Sequence, residues 1–505
     1  MSNILKNLFL ILLAGLLVGC GRFSLDYDEE KRITIYEGDI LVASGDSGLY
    51  NSFAQDKKGG IHIVYYQIPR ATILWSYSSN LRKGFEKTEI ITQAGVGDNF
   101  GISAKVLIDS SNKPHVIYIR HIEGGTHLFR IFHARREDEG KWIDEPAPTC
   151  GFESKAEKLD AIIDPEDIIH VAYIGMDKKL YYISFRTNGE LVSCEVIDPA
   201  VGEVSRVPAG GGISECVDMT MDSAGTIHVS YYDSENGNTK YAFKKKGEQS
   251  WAISIPNWQR VFNEEIRFSQ VTPGEYTAEL QFPSNEAKLD TYIFAVGPGG
   301  RKEVPKDFWR FRGQKNIVLS GNIVGPDKEF NLNMKFYVSY IRTDTSPEDD
   351  GVFCSVSFNE LLAPIIAFYD STNMRIKFSQ KNGEIWETEE VEPAQIGSPI
   401  NLVTFKIDDK TTPAIVYSDS LRNSVRVLIR NPSPPTQEER WIKSTIISQV
   451  SAGYHLFSSF IPIYGKIGVS YIKIVKGSFE LYFSVFDVIN EVKEAIKNQK
   501  NTTQQ

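Results

Sequence analysis

Alternation of apolar and polar positions with a period of two runs through most of the chain between residues 50 and 260. That spacing puts every second side chain on one face of a β-strand. Four segments carry it in one form: "IHIVYY" from Ile61, "PHVIYI" from Pro114, "IHVAYI" from Ile169 and "IHVSYY" from Ile227. Their histidines, His62, His115, His170 and His228, recur at steps of 53, 55 and 58 residues. Each segment follows a turn that begins with aspartate, at Asp56, Asp109, Asp164 and Asp222. Each is followed by a second turn and an aromatic-rich stretch, "ILWSYSS", "LFRIFHA", "LYYISFR" or "TKYAFKK", and Trp142 and Trp251 open further β-like segments. β-Branched and aromatic enrichment between Asp, Asn and Gly turns predicts four antiparallel strands per unit. Farther on, "APIIAFYDS" from Ala363, "TPAIVYSDS" from Thr412 and "KIGVSYIK" from Lys466 repeat the tyrosine strand without the histidine. Seven units result.

A twisted four-stranded sheet cannot cover both of its own faces, so such units stack until a ring closes. The expectation is an all-β chain, a seven-bladed β-propeller of four-stranded antiparallel blades. The last unit supplies three strands, and "RITIYEGD" from Arg32 resembles an outer strand without a blade. Ile33 to Tyr36 is therefore expected to complete the seventh blade. Blades one to four with that closing strand occupy 32–260, and blades five to seven occupy 352–488. The period fails over 261–351, although "YTAELQF", "DTYIFAV", "NIVLSGNI" and "NLNMKFYVSYI" still read as strands. An inserted β-rich segment between blades four and five is the preferred reading, and a degenerate eighth blade the alternative. The polar tail 489–505 belongs to neither.

The amino-terminal residues bear on compartment. Lys6 precedes an apolar run from Leu8 to Val18 that ends in Leu17-Val18-Gly19-Cys20. A positive start, an apolar core too short to span a bilayer comfortably and small residues at its end make a secretory signal. The ending resembles the lipobox of bacterial lipoproteins. The resemblance implies a signal peptide over 1–19, a diacylglycerol-modified and acylated Cys20, and a tether over 20–31. It also implies a lipid anchor in the membrane, and Gly21 in place of Asp points to the outer membrane. Beyond the signal no stretch reaches the roughly 20 apolar residues of a spanning helix. A formal net charge of −10, with no dense Lys/Arg block, argues against nucleic acid as a partner. Four further cysteines, Cys150, Cys194, Cys216 and Cys354, permit two disulfides in three connectivities, or four buried thiols.

Candidate chemistry is sparse, and no cofactor, metal or catalytic set is expected. A histidine recurring once per unit is distributed around a ring, and its replacement by Ile365, Ala414 and Gly468 later fits a structural position. His121, His127 and His133 flank a Gly124-Gly125 turn, where paired imidazoles would hold a transition metal only weakly without carboxylate or thiolate partners. Asp233, Asp370 and Asp419 follow the tyrosine strand in "YYDS", "FYDS" and "YSDS", beside Tyr232, Tyr369 and Tyr417. Carboxylate acceptors next to aromatic platforms suit sugar recognition, while Asp-Ser also starts a turn through an Asx hydrogen bond.

With its units laid out, the chain resembles the sialidase-like group of bacterial propellers over residues 50–260 and 352–488. The resemblance rests on the Asp turn followed by "IHVSYYDS". It departs from the sialidase Asp-box, Ser-x-Asp-x-Gly-x-x-Trp, in having Asp-x-x-Gly and no following Trp. The sialidase arginine triad cannot be assigned, and seven units do not match a six-bladed ring. The resemblance implies fold and leaves function to the site. The expected function is a membrane-anchored, non-catalytic binding or scaffold module for a glycan or an envelope protein. The alternative is a polysaccharide lyase or glycosidase with its site in a central pocket.

Overall fold

The computed structural model describes residues 38–493 apart from short internal stretches, among them 202–215, 280–291 and 321–334. Its strands form nine four-stranded antiparallel sheets with almost no helix. The chain divides into two compact units, one of Met1–Pro256 with Asp349–Gln505 and one of Asn257–Glu348.

The larger unit holds seven sheets. In six of them the four strands lie in chain order, as in Ser47–Gln55, Ile61–Gln67, Thr72–Ser78 and Lys87–Gln93 of sheet 1. Sheets 2 to 6 open with the leading strands Asn99–Ile108, Leu159–Ile163, Val217–Met221, Asp350–Phe358 and Asn401–Ile407. Sheet 7 takes Phe457–Ile461, Lys466–Val475 and Ser478–Phe486 from the C-terminal end, and its outermost strand, Ile40–Ala43, from the N-terminal end. Each leading strand packs against the next, and the seventh packs against the first, so the circuit is closed. Ile33–Tyr36 and Cys20 lie outside the described residues. The strand paired with Ser478–Phe486 is Ile40–Ala43, with Ile40 opposite Phe483.

In sheets 1 to 5 one kind of turn opens the second strand, and its bonds explain its composition. Asp56 Oδ1 accepts the N–H groups of Lys58 and Gly60, both at 2.8 Å. Asp109, Asp164 and Asp222 repeat that pair of bonds, and Asn359 does so in sheet 5. The third residue after the acceptor takes a positive φ: Gly59 91°, Asn112 63°, Asp167 59° and Gly225 80°. Gly, Asn and Asp are the residues that enter that region most readily.

Second strands are buried along nearly their whole length, as in Ile168–Ile174 and Ile227–Asp233. They lie mid-sheet with a neighbouring sheet on either face, so their polar residues need partners inside. At the rim, glutamates of outer strands bind the following sheet. Glu89 accepts from Arg136 Nε (2.8 Å) and Trp142 Nε1 (3.0 Å), Glu195 from Lys244 and Trp251, and Glu389 from Arg430, Arg440 and Trp441. Partial burial would raise the Glu89 carboxyl, but these donors outweigh it and hold it down at about 2. The cysteines pair as Cys150–Cys194 and Cys216–Cys354. The second bridge joins the approach to the leading strand of sheet 4 to the leading strand of sheet 5.

The smaller unit has two four-stranded sheets around one apolar core that includes Ile293, Val304, Phe336 and Val338 from one sheet and Ala278, Trp309, Ile317 and Leu319 from the other. The "FWRFR" run contributes the edge strand Trp309–Arg312, with Trp309 buried and Arg310 and Arg312 exposed.

Candidate functional site: the ring of leading strands

Side chains of the leading strands reach across to the backbone of the next sheet. Val106 N–H donates to Ser52 Oγ at 2.9 Å, and Met219 N–H to Asp160 Oδ2 at 2.8 Å. Val356 N–H donates to Asp218 Oδ2 at 2.7 Å, Leu402 N–H to Ser355 Oγ at 2.9 Å, and Ser458 N–H to Asn401 Oδ1 at 3.2 Å. In every case the donor lies one residue beyond the equivalent acceptor position of its own strand. The seven equivalent positions are therefore Ser52, Lys105, Asp160, Asp218, Ser355, Asn401 and Phe457. Five accept from the following strand, which satisfies an N–H that the sheet itself leaves unpaired.

Lys105 and Phe457 cannot accept, and they meet each other. The Lys105 ammonium lies 4.6 Å from the centroid of the Phe457 ring. It also donates to Asp160 Oδ1 at 2.7 Å. Asp160 is buried, and both its oxygens are engaged, Oδ1 with Lys105 and Ala161 N–H and Oδ2 with Met219 N–H. Burial would lower the Lys105 ammonium, but the Asp160 and Asp218 charges hold it above its usual value. Burial and the Asp160 carboxylate push the Asp218 carboxyl up to about 7, against the pull of Lys105.

Two cavities lie against this ring and share Lys105, Asp218, Asn401 and Phe457 in their walls. The smaller, of about 90 Å³, is bounded also by Tyr50, Lys158 and the Cys216–Cys354 bridge. The larger, of about 310 Å³, is lined by the hydroxyl-bearing residues Ser52, Thr220, Ser357, Thr404, Ser458 and Ser459 and by Phe460. Its size is at the lower end of small-molecule pockets. Ser458 is 5% exposed, and among the described residues its hydroxyl has no hydrogen-bond partner.

The residues singled out from sequence lie elsewhere. Asp233, Asp370 and Asp419 are fully buried at three separate hairpins. Asp233 binds Lys240 (2.8 Å), Asp370 binds Lys377 (2.9 Å), and Asp419 binds Arg422. Asp370 and Asp419 also accept backbone N–H groups of their own turns. Tyr232, Tyr369 and Tyr417 are buried as well. Tyr369 donates to Ala394 O at 3.1 Å, and Tyr417 joins a buried cluster with Glu392 and Arg426. The three tyrosines share one apolar core, and the Asp370 and Asp419 charges reach Tyr369, but none of the six residues lines either cavity.

The repeated histidines are likewise spread over four sheets. Each Nε2 lies 3.2–3.4 Å from the aspartate of its own turn. His170 and His228 Nδ1 meet Tyr182 and Tyr241 hydroxyls at 2.7 Å, and His115 Nδ1 meets His133 Nε2 at 2.9 Å. Burial lowers all four, and it takes His133 down to about 3. His127 is outside the described residues. Among the described residues no group of three His, Cys, Asp or Glu side chains is placed to hold a metal ion.

Comparison with known proteins gives remote likenesses. No family model matches the chain, and no curated protein matches it. A protein of unknown function from Dyadobacter fermentans is similar at 10% identity and a TM-score of 0.43, covering 90% of this chain and 98% of that one. A polysaccharide lyase, an ulvan lyase, is similar at 12% identity and a TM-score of 0.46, with 89% and 95% covered. A Trypanosoma rangeli sialidase is similar at 9% identity and a TM-score of 0.40, and this chain spans 63% of its length.

Proposed function

We propose that this chain is an exported lipoprotein, lipidated at Cys20 and held at the outer membrane, that binds a glycan without turning it over. Its body is read as a seven-bladed propeller, with the unit Asn257–Glu348 inserted between blades four and five. The closed circuit of seven leading strands supports the propeller reading, and the separate core of the smaller unit supports the insertion.

One observation carries the binding reading. At the position where five sheets spend a side chain on the neighbouring backbone, sheets 2 and 7 place Lys105 and Phe457 beside a hydroxyl-lined cavity. An aromatic ring, a fixed charge pair and several hydroxyls suit a ligand rich in hydroxyls. The hydrolytic alternative needs two carboxylates acting across a cleft. Here Asp160 and Asp218 share one wall of the larger cavity, and Asp160 is buried with both oxygens engaged, so no second carboxylate stands across a cleft from Asp218. A lyase needs His and Tyr converging on one point, whereas the repeated histidines are spent on turn aspartates in separate sheets.

The test is a polysaccharide and oligosaccharide binding screen of the soluble form from Arg22, with sugar release measured for every hit. Binding without release, lost in Phe457→Ala, is expected. Release of reducing or unsaturated sugar, or binding indifferent to Phe457→Ala, would overturn the reading. The anchor is tested separately: Cys20→Ala should move the chain from the membrane fraction to the soluble one.

A further inference from the structure

Asp218 differs from its neighbour Asp160 and from several buried carboxylates elsewhere in the larger unit. Asp160, Asp233, Asp370 and Glu392 each hold a Lys or Arg nitrogen at 2.7–2.9 Å, and Asp419 holds Arg422. Among the described residues Asp218 has no such ion pair. Its Oδ2 accepts from Val356 N–H and from Ser355 Oγ at 2.9 Å, and among the described residues Oδ1 accepts from no protein group. The nearby Lys105 is committed to Asp160 and to the Phe457 face. Two carboxylates thus share one ammonium at the wall of the larger cavity, and an ionised Asp218 leaves a net negative charge there. A buried charge without a partner is costly, so the site favours a ligand that supplies the cation. In the same wall the Ser458 hydroxyl is buried with no partner among the described residues, so a polar ligand group is called for there too.

We propose that the larger cavity takes a sugar bearing a primary ammonium group, which docks on Asp218 Oδ1 while a hydroxyl of the same ring meets Ser458. This rests on the glycan-binding reading above and narrows it to amino sugars. The lysine already present does not forbid it, because its charge is offset by Asp160, and a charge-assisted hydrogen bond to Asp218 is of the stronger kind.

The test is calorimetric binding of glucosamine, N-acetylglucosamine and glucose, with their short β-linked oligomers, to the soluble form near neutral pH. The free amine is expected to bind at least about tenfold more tightly than its acetylated or hydroxyl counterpart. Asp218→Asn should erase that preference. Asp218→Ser, which installs the residue that sheets 1 and 5 use at this position, should erase it too and guards against a folding defect in the first variant. Equal binding of amine and acetylated sugars, or a preference that survives both variants, would overturn the inference and leave the glycan reading standing. Absence of binding by every sugar, charged or neutral, in this assay and in the wider screen would overturn both.

Discussion

Replacing Cys216 and Cys354 by alanine removes a cross-link between residues 138 apart in sequence, whereas the Cys150–Cys194 bridge spans 44. The longer loop contains sheet 4 and the whole Asn257–Glu348 unit, so the unfolded chain without the bridge gains freedom over all of it. Loop-closure entropy gives about 5 kcal/mol for the longer loop and about 4 kcal/mol for the shorter. The logarithmic dependence on length therefore predicts that the Cys216–Cys354 pair contributes about 1 kcal/mol more. Both estimates are ceilings, and removal of a native bridge commonly costs about 2–5 kcal/mol. Cys216 and Cys354 are buried between sheets 4 and 5, so truncation there also opens a small cavity, which acts in the same direction. The assay is equilibrium urea unfolding of Cys216→Ala/Cys354→Ala and Cys150→Ala/Cys194→Ala, read by circular dichroism and intrinsic fluorescence. The first double variant should lose more stability than the second. A loss below about 1 kcal/mol for the first, or the reverse order, would refute the loop-entropy argument.

Lys105→Met strips a buried carboxylate of its cation and should destabilise the protein by about 3 kcal/mol. Adding Asp160→Asn, which keeps an acceptor for Met219 N–H, should recover part of that loss in thermal unfolding. His133 titrates at about 3 against an ordinary 6.5, so the unfolded chain binds the extra proton. Stability from this group is present above pH 6.5 and is lost as pH falls toward 3, and His133→Gln should flatten that part of a urea-midpoint against pH curve. Tyr241→Phe removes the hydroxyl that meets His228 Nδ1 and leaves a buried nitrogen unpaired, at a cost of about 1–3 kcal/mol. Tyr182→Phe should cost a similar amount through His170, since the two sheets repeat one arrangement.

The all-β build was legible because its signals are local. An acceptor at the first turn position, a residue able to take positive φ three places on, and a β-branched strand after it recur in one order from Asp56 to Asp222. The shortage of one strand at the C-terminal end was legible too, although the expected filler was Ile33 to Tyr36 and the strand that pairs there is Ile40–Ala43. Which apolar run fills that place was not, because "RITIY" and "ILVA" offer a sheet edge much the same pattern. The ring was the hardest feature to see. Lys105, Asp160 and Asp218 are each the one charged residue of their strand, where a single charge looks like half of an ordinary alternation. Their equivalence emerges only from the hydrogen bonds that cross between sheets, which link residues some 50 to 140 positions apart. The Asp-Ser pairs after the tyrosine strands were conspicuous for the opposite reason. Their regular recurrence is a turn and an ion pair repeated within separate hairpins, and repetition around a circle keeps such groups apart.

The arrangement of the two chain ends has a mechanical consequence. Tension applied at the N-terminal side of the body arrives first at Asp39, whose carboxylate is clasped by Lys473, Tyr471 and Ser484 of sheet 7. Only beyond that clasp does the load reach Ile40 and the short strand behind it. Failure under force would then begin with side-chain bonds giving way, after which the edge strand peels off one rung at a time and the seam of the circle opens from outside.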